Sequence, residues 1–156
     1  MKLVDAAWRA AYIAAYRILR VWWFVRRPDS YGAFVLLWRG DEILLIRNSY
    51  RSGYTVPSGN IDRGETPRQA ARRELAEEVG LEVRESELEY VGEVHLEFER
   101  RRDHSSFFEL HREPGRPLDL RIDRREVVWA EFCPVGRLSE FNLSPHVTAY
   151  LAGRKS

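Results

Sequence analysis

Two periodicities divide the chain. From Leu3 to Val25 apolar residues recur at helical spacing without a glycine or proline. At about 3.6 residues per turn, Trp8, Tyr12, Ala15, Leu19 and Trp22 fall on one stripe. Arg9, Arg17, Arg20 and Arg27 fall on another arc, with Lys2 beside them. The spacing predicts an amphipathic helix with a broad apolar face, stopped by Pro28, Asp29 and Ser30. From Tyr31 the pattern becomes that of strands. YGAFVLLW and EILLIRN are β-prone runs separated by Arg39, Gly40 and Asp41, which reads as a hairpin.

Helical spacing returns after Thr66. That residue suits an N-cap, Pro67 the first helical position, and Gln69 completes a capping box. Gly80 suits the position just past the end. The predicted helix covers about residues 67–79, with Ala70, Ala71, Leu75 and Val79 on its core side. LEYVGEVHLEF, SSFFELHR and VVWAEFCPV read as further strands, and residues 112–126 as a long exposed loop. Ser144 and Pro145 open a short terminal helix running to about Leu151. Without regular βαβ alternation, the expected class is α+β, a mixed sheet between helices.

The predicted helix at 67–79 carries an electrostatic oddity. Glu74, Glu77 and Glu78 stand at i, i+3 and i+4, so they share one turn with no lysine interspersed. Each like-charge pair costs roughly 0.2–0.5 kcal/mol on a bare helix. A hard divalent cation held by oxygen ligands removes that repulsion and points to metal-assisted chemistry on phosphates.

Composition narrows the alternatives. The chain has 156 residues, 44% hydrophobic and 31% charged, which describes one globular domain able to bury a core. A single cysteine, Cys133, excludes an internal disulfide and reads as a small buried hydrophobe; with four scattered histidines it forms no zinc site. The net charge of +1 hides an asymmetry, because residues 1–30 hold Lys2, Arg9, Arg17, Arg20, Arg26 and Arg27 against Asp5 and Asp29. Asp5 and Arg9 argue against a secretory signal, and no stretch near 20 residues is free of arginine, which argues against a membrane span. The run RRDHSS reads as basic and exposed, but it lacks interleaved aromatics, so no nucleic acid is expected as partner.

Residues 59–81, GNIDRGETPRQAARRELAEEVGL, resemble the Nudix box, G-x5-E-x7-R-E-U-x-E-E-x-G-U with U aliphatic. Gly59, Glu65, Arg73, Glu74, Leu75, Glu77, Glu78, Gly80 and Leu81 fill every fixed position. Upstream, YTVPSG is similar to the family's aromatic-x-x-Pro-Gly-Gly approach, with Ser58 in place of the first glycine. Downstream, EVVWAEFCP from Glu126 to Pro134 is similar to a family strand in which a glutamate precedes an aromatic-x-Pro. The likeness covers about residues 31–150.

This resemblance implies the Nudix fold for residues 29–156, a mixed sheet sandwiched between helices, with residues 1–28 an extra N-terminal amphipathic helix. It implies Mg2+- or Mn2+-dependent hydrolysis of a nucleoside diphosphate linked to a moiety X. Glu74, Glu77 and Glu78 are then metal ligands, with the Ser58 carbonyl a further candidate; a left-handed backbone at 58 would be strained. Gly59, Glu65, Arg73 and Gly80 are the structural brace of the box. Glu126 is the outside carboxylate, binding a second metal or acting as general base, with Glu97, Glu99 and Glu109 in reserve. Arg47 and Arg51 are candidates to clamp phosphate, and Tyr50 and Tyr54 either stack on a base or plug the core. No accessory signature selects among nucleoside triphosphate, nucleotide sugar and ADP-ribose substrates. The rival reading is a catalytically silent nucleotide sensor on the same fold. For residues 3–25 three readings stay open: a cap on the sheet, a homodimer contact, or a peripheral contact with an anionic membrane surface. The expected location is the cytoplasm, including the inner membrane surface.

Overall fold

The computed structural model describes the backbone of residues 2–26, 29–98, 101–115 and 117–154, and the side chains of residues 6–22 in the first segment. Arg27, Pro28 and Glu99, invoked above, lie outside the described residues, as do the side chains of Lys2 and Arg26.

Eleven residues, Asp29–Arg39, form β1, the central strand. Its alternation sends Ala33, Val35 and Leu37 to one face of the sheet and Phe34, Leu36 and Trp38 to the other, and all six are buried. β1 turns through Gly40 into β2, Glu42–Asn48, and also pairs with the short β3, Ser58–Asn60. On its other side it runs parallel to β5, Arg101–Arg112, through an unbroken register from Asp29↔Arg102 to Arg39↔Arg112. β4, Glu89–Phe98, and β6, Val127–Pro134, complete the order β4-β5-β1-β2-β6. All pairings but β1·β5 are antiparallel, so the sheet is mixed.

Helix α2, Pro67–Val79, covers one face through Ala70, Ala71, Leu75 and Val79. Its predicted devices are all present: Thr66 and Gln69 form the capping box, and Gly80 ends the helix at φ 67°. A side chain at Gly80 would also meet the backbone of Arg121. Helix α3, Pro145–Gly153, covers the opposite face through Val147. Cys133 is buried, as expected.

Three expectations change. The run RRDHSS is no exposed basic loop. It opens β5, where Arg101, Asp103 and Ser105 are buried and Arg102 points out. Full-length pairing with β1 compensates for the missing apolar residues. The connection at 112–126 is not wholly exposed: Leu118, Leu120 and Ile122 pack on the α2-side core, and the Arg121 and Asp123 amides donate to carbonyls at the end of α2. Helix α1, Lys2–Arg26, docks by Arg9, Tyr12 and Tyr16, along the border between its apolar stripe and its basic arc. Arg9 donates twice to the Arg124 carbonyl, Tyr12 and Tyr16 contact Tyr50, and Trp8, Leu19 and Trp22 of the apolar stripe stay about half exposed. Among the described residues no helix is long and apolar enough to cross a membrane.

Candidate active site

One cavity of about 270 Å³ draws residues from α2, β1, β3, β5, α3 and three loops. Glu74 and Glu77 line it from α2, Ser58, Gly59 and Asn60 from β3, Tyr50 and Arg51 from the loop after β2, and Glu126 from the turn before β6.

The three box carboxylates are not equivalent. Glu74 and Glu78, one turn apart, are buried, whereas the Glu77 side chain is 60% exposed. Glu78 Oε2 accepts the Ser58 amide at 2.9 Å and Oε1 accepts Asn48 Nδ2 at 3.1 Å. Burial pushes the Glu78 carboxyl well above the usual range against those hydrogen bonds. Burial likewise raises Glu74 to about 7, opposed by Arg73. Glu74 lies against Gly59, where any Cβ would collide with its carboxyl.

The cluster is also less bare than its spacing implies. Arg73 Nη1 reaches Glu74 at 2.6 Å and Glu77 at 3.2 Å, while Nε and Nη2 bond Glu65 at 3.0 and 2.9 Å. Nη2 further donates to the Asn60 carbonyl at 2.9 Å, so one guanidinium ties α2, the Glu65 turn and β3 together. Arg73 holds Glu65 below its ordinary value. As placed, no three His, Cys, Asp or Glu side chains among the described residues stand together as a ready cation site. The donor set nevertheless suits one: hard carboxylate oxygens, with two of the carboxyls, Glu74 and Glu78, held above their usual range by burial.

Ser58 sits in extended backbone paired with Phe34, so the feared left-handed strain does not arise. Glu126 Oε1 accepts the Tyr50 hydroxyl at 2.6 Å, and Asn48 Nδ2 also reaches that hydroxyl at 3.2 Å. Tyr50 in turn stacks on Tyr12 with ring centroids 6.0 Å apart and touches Tyr16 at 5.3 Å. A chain of contacts thus runs from α1 to the outside carboxylate.

The other candidates fall elsewhere. Arg47 is exposed and lies over the Tyr54 ring, and Tyr54 packs edge-on to Trp129 and Phe141 in the α3-side core; neither lines the cavity. Aromatic packing partners from β6 and the following turn claim Tyr54. Glu97 is exposed on β4, and Glu109 is tied up with Tyr150, His111 and Arg154. Missed altogether were Asn48 and the polar group Arg101, Asp103, Ser105 and His146, which lines the cavity except for Asn48. Residues 101–106 are all polar, so no hydrophobic periodicity was there to signal three of them.

The fold and this site define a domain whose sequence description, NUDIX domain, matches residues 28–151. The chain belongs to the Nudix family. Over 86 residues it is 40% identical to the NAD-capped RNA hydrolase NudC of Pseudomonas aeruginosa, covering 54% of this chain and 29% of that protein. Over 72 residues it is 34% identical to the RNA pyrophosphohydrolase of Actinobacillus succinogenes, covering 46% and 36%. The chain therefore matches about a third of the length of these curated relatives. In structure it resembles the MutT protein of Methanosarcina mazei (TM-score 0.67, 18% identity, 79% of this chain and 90% of that one). It also resembles the NUDIX domain of Shewanella oneidensis NrtR complexed with ADP ribose (TM-score 0.68, 16% identity, 81% and 87%).

Proposed function

We propose that this chain is a divalent-metal-dependent pyrophosphohydrolase that cleaves a nucleoside diphosphate linked to a moiety X. The observation that carries this is that Glu74, Glu77 and Glu126 line one cavity, while Glu78 holds the amide of Ser58 in its wall. Glu74, Glu77 and Glu78 would hold Mg2+ or Mn2+, with the Ser58 carbonyl as a further donor. When bound, such an ion neutralises diphosphate charge and lowers the pKa of bound water.

The chain's own groups do the rest. Arg51, which lines the cavity, balances the negative oxygens of the diphosphate. Glu126 takes the proton of the attacking water as general base. Its Oε1 is held by Tyr50, which orients the carboxylate and leaves Oε2 for that proton. Arg73 and Glu65 keep β3 and α2 at fixed separation.

The deciding measurement is phosphate release, after phosphatase coupling, from nucleoside triphosphates, ADP-ribose, nucleotide sugars, dinucleoside polyphosphates and a 5′-triphosphorylated oligonucleotide. The last belongs there because two similar proteins are named for RNA substrates. Metal-dependent turnover of one class is expected. Silence across the panel would favour the rival, a nucleotide-binding sensor, against which the complete box argues.

The uncovered stripe of α1 is left for association. Its exposed Trp8, Leu19 and Trp22, with Ile18 and Val21 exposed elsewhere on the helix, support a contact with a second copy or with an anionic lipid surface.

A further inference from the structure

Helix α1 is mounted with apolar residues outward. Within residues 6–22, Arg9, Tyr12 and Tyr16 are partly buried and every other residue is exposed. At about 3.6 residues per turn, the face opposite that seam carries Ala7, Ala11, Ala14, Ile18 and Val21. Ala10 borders it on one side, Ala15 and Trp22 on the other. No described side chain on this face is charged, and Ile18 and Val21 are 71% and 68% exposed. A continuous apolar face of this kind marks a surface that something covers.

Lipid and protein make different demands on such a helix. One that lies on an anionic membrane sets basic residues along the borders of its apolar face, within reach of the headgroups. Here Arg9 donates to the Arg124 carbonyl, while Arg17 and Arg20 line a groove between α1 and the loop after β2. Arg9 and Arg20 stand nearly opposite the apolar face, so charge is kept on the domain side. The apolar positions recur instead at alternating intervals of four and three residues, the spacing of a coiled-coil seam. Neither α2 nor α3 can supply the second helix, because their buried residues, Leu75 and Val147 among them, pack on the sheet. A helix from a second copy fits the face.

Residue size sets the direction of pairing. The seam is small at Ala7, Ala11 and Ala14 and larger at Ile18 and Val21. A parallel pair would set Ile18 against Ile18 and Ala7 against Ala7, splaying the helices at one end, and would bring both Arg17 side chains to the same end. We propose that α1 is a homodimerisation helix, pairing antiparallel with α1 of a second copy about a two-fold axis between positions 11 and 14. Ala11 then meets Ala14 of the second copy, and each Ile18 fills the space beside an Ala7. The docked seam of Arg9, Tyr12 and Tyr16 faces away, so the two domains hang on the outer sides. This pairing rests on reading α1 as an association element, and it names the partner.

Disulfide trapping on the full chain reads partner and direction together, because the bond forms only where Cα atoms come within about 7 Å. Ala7→Cys and Ile18→Cys should each stay unlinked on mild oxidation, while their equimolar mixture should give a linked dimer. The unsubstituted chain, whose Cys133 is buried, should give none. Either variant linking efficiently to itself means a parallel pair and overturns the arrangement, and so does a mixture that stays unlinked. Light scattering should show the intact chain as a dimer at micromolar concentration. Ala11→Lys, which places a charge in the seam, should raise the dissociation constant at least about 30-fold. Residue 11 is exposed in its own chain, so the unfolding temperature of the monomer should hold. A monomeric intact chain that co-sediments with phosphatidylglycerol vesicles gives the face to lipid, which overturns the dimer and leaves the association reading standing. A monomer that ignores the vesicles removes both.

Discussion

Glu74 and Glu78 sit one turn apart and buried, while Glu77 between them faces solvent, so the three substitutions to glutamine should not behave alike. Glu78→Gln keeps the side chain's shape, yet it removes a buried charge that a cation needs. Turnover should fall at least about 100-fold with the circular dichroism spectrum unchanged, more than supporting residues of a metal site usually cost. Near-normal turnover would refute the metal assignment. Gly59→Ala acts from the other side, because its Cβ would collide with the Glu74 carboxyl. That crowding should cost about 1–3 kcal/mol of stability by thermal or urea unfolding, along with activity. Tyr50→Phe preserves the rings stacked between α1 and the domain but deletes the hydroxyl that holds Glu126. Steady-state kinetics should show kcat reduced roughly 10-fold or more with KM nearly unchanged, the signature of a group orienting a base rather than binding substrate.

Among the elements, α2 was legible in the sequence to the residue, because its start and stop are local chemistry: a capping box, a proline and a left-handed glycine. β5 was not. Residues 101–106 carry no apolar signal, and their burial is decided by pairing with β1, a partner 73 residues away at the Asp29–Arg102 contact. The same gap hid Asp103 and Arg101, while the box residues, fixed by short-range spacing, came through. The periodicity of α1 located the helix but not its docked side, since the surface it meets offers a carbonyl and a tyrosine rather than an apolar groove. Its outer stripe should therefore be dispensable for chemistry. The double variant Ile18→Asp, Trp22→Asp should keep turnover while abolishing co-sedimentation with anionic liposomes or concentration-dependent dimerisation, whichever the intact chain shows. If the intact chain shows neither, the stripe has no such role.

At the level of the whole molecule, site and stability are linked through protons. The Glu74 carboxyl, at about 7 when folded, lies above its ordinary 4.5, and Glu78 is raised too. A carboxyl raised on folding binds its proton more tightly in the native state. Its contribution is thus fully present below pH 4.5 and is lost as pH climbs through about 7. A divalent cation replaces those protons and reverses the loss. The rise in unfolding temperature on adding Mg2+ should therefore be larger at high pH than at low pH, by calorimetry at several pH values between 5 and 8. An equal rise throughout would show that these carboxyls do not couple metal to folding.

The parallel seam between β1 and β5 also sets a clock on birth. Asp29 and Arg102 are 73 residues apart, and at ribosomal rates of about 5–20 residues per second that is roughly 4–15 s of synthesis. Throughout that interval β1, with its run AFVLLW, has emerged without its principal neighbour. The floor of the cavity is split across the same seam, Ser30 and Gly32 on the early strand and Arg101, Asp103 and Ser105 on the late one. A nascent chain halted before β5 would carry the three carboxylates of α2 and yet only half of the cavity's floor.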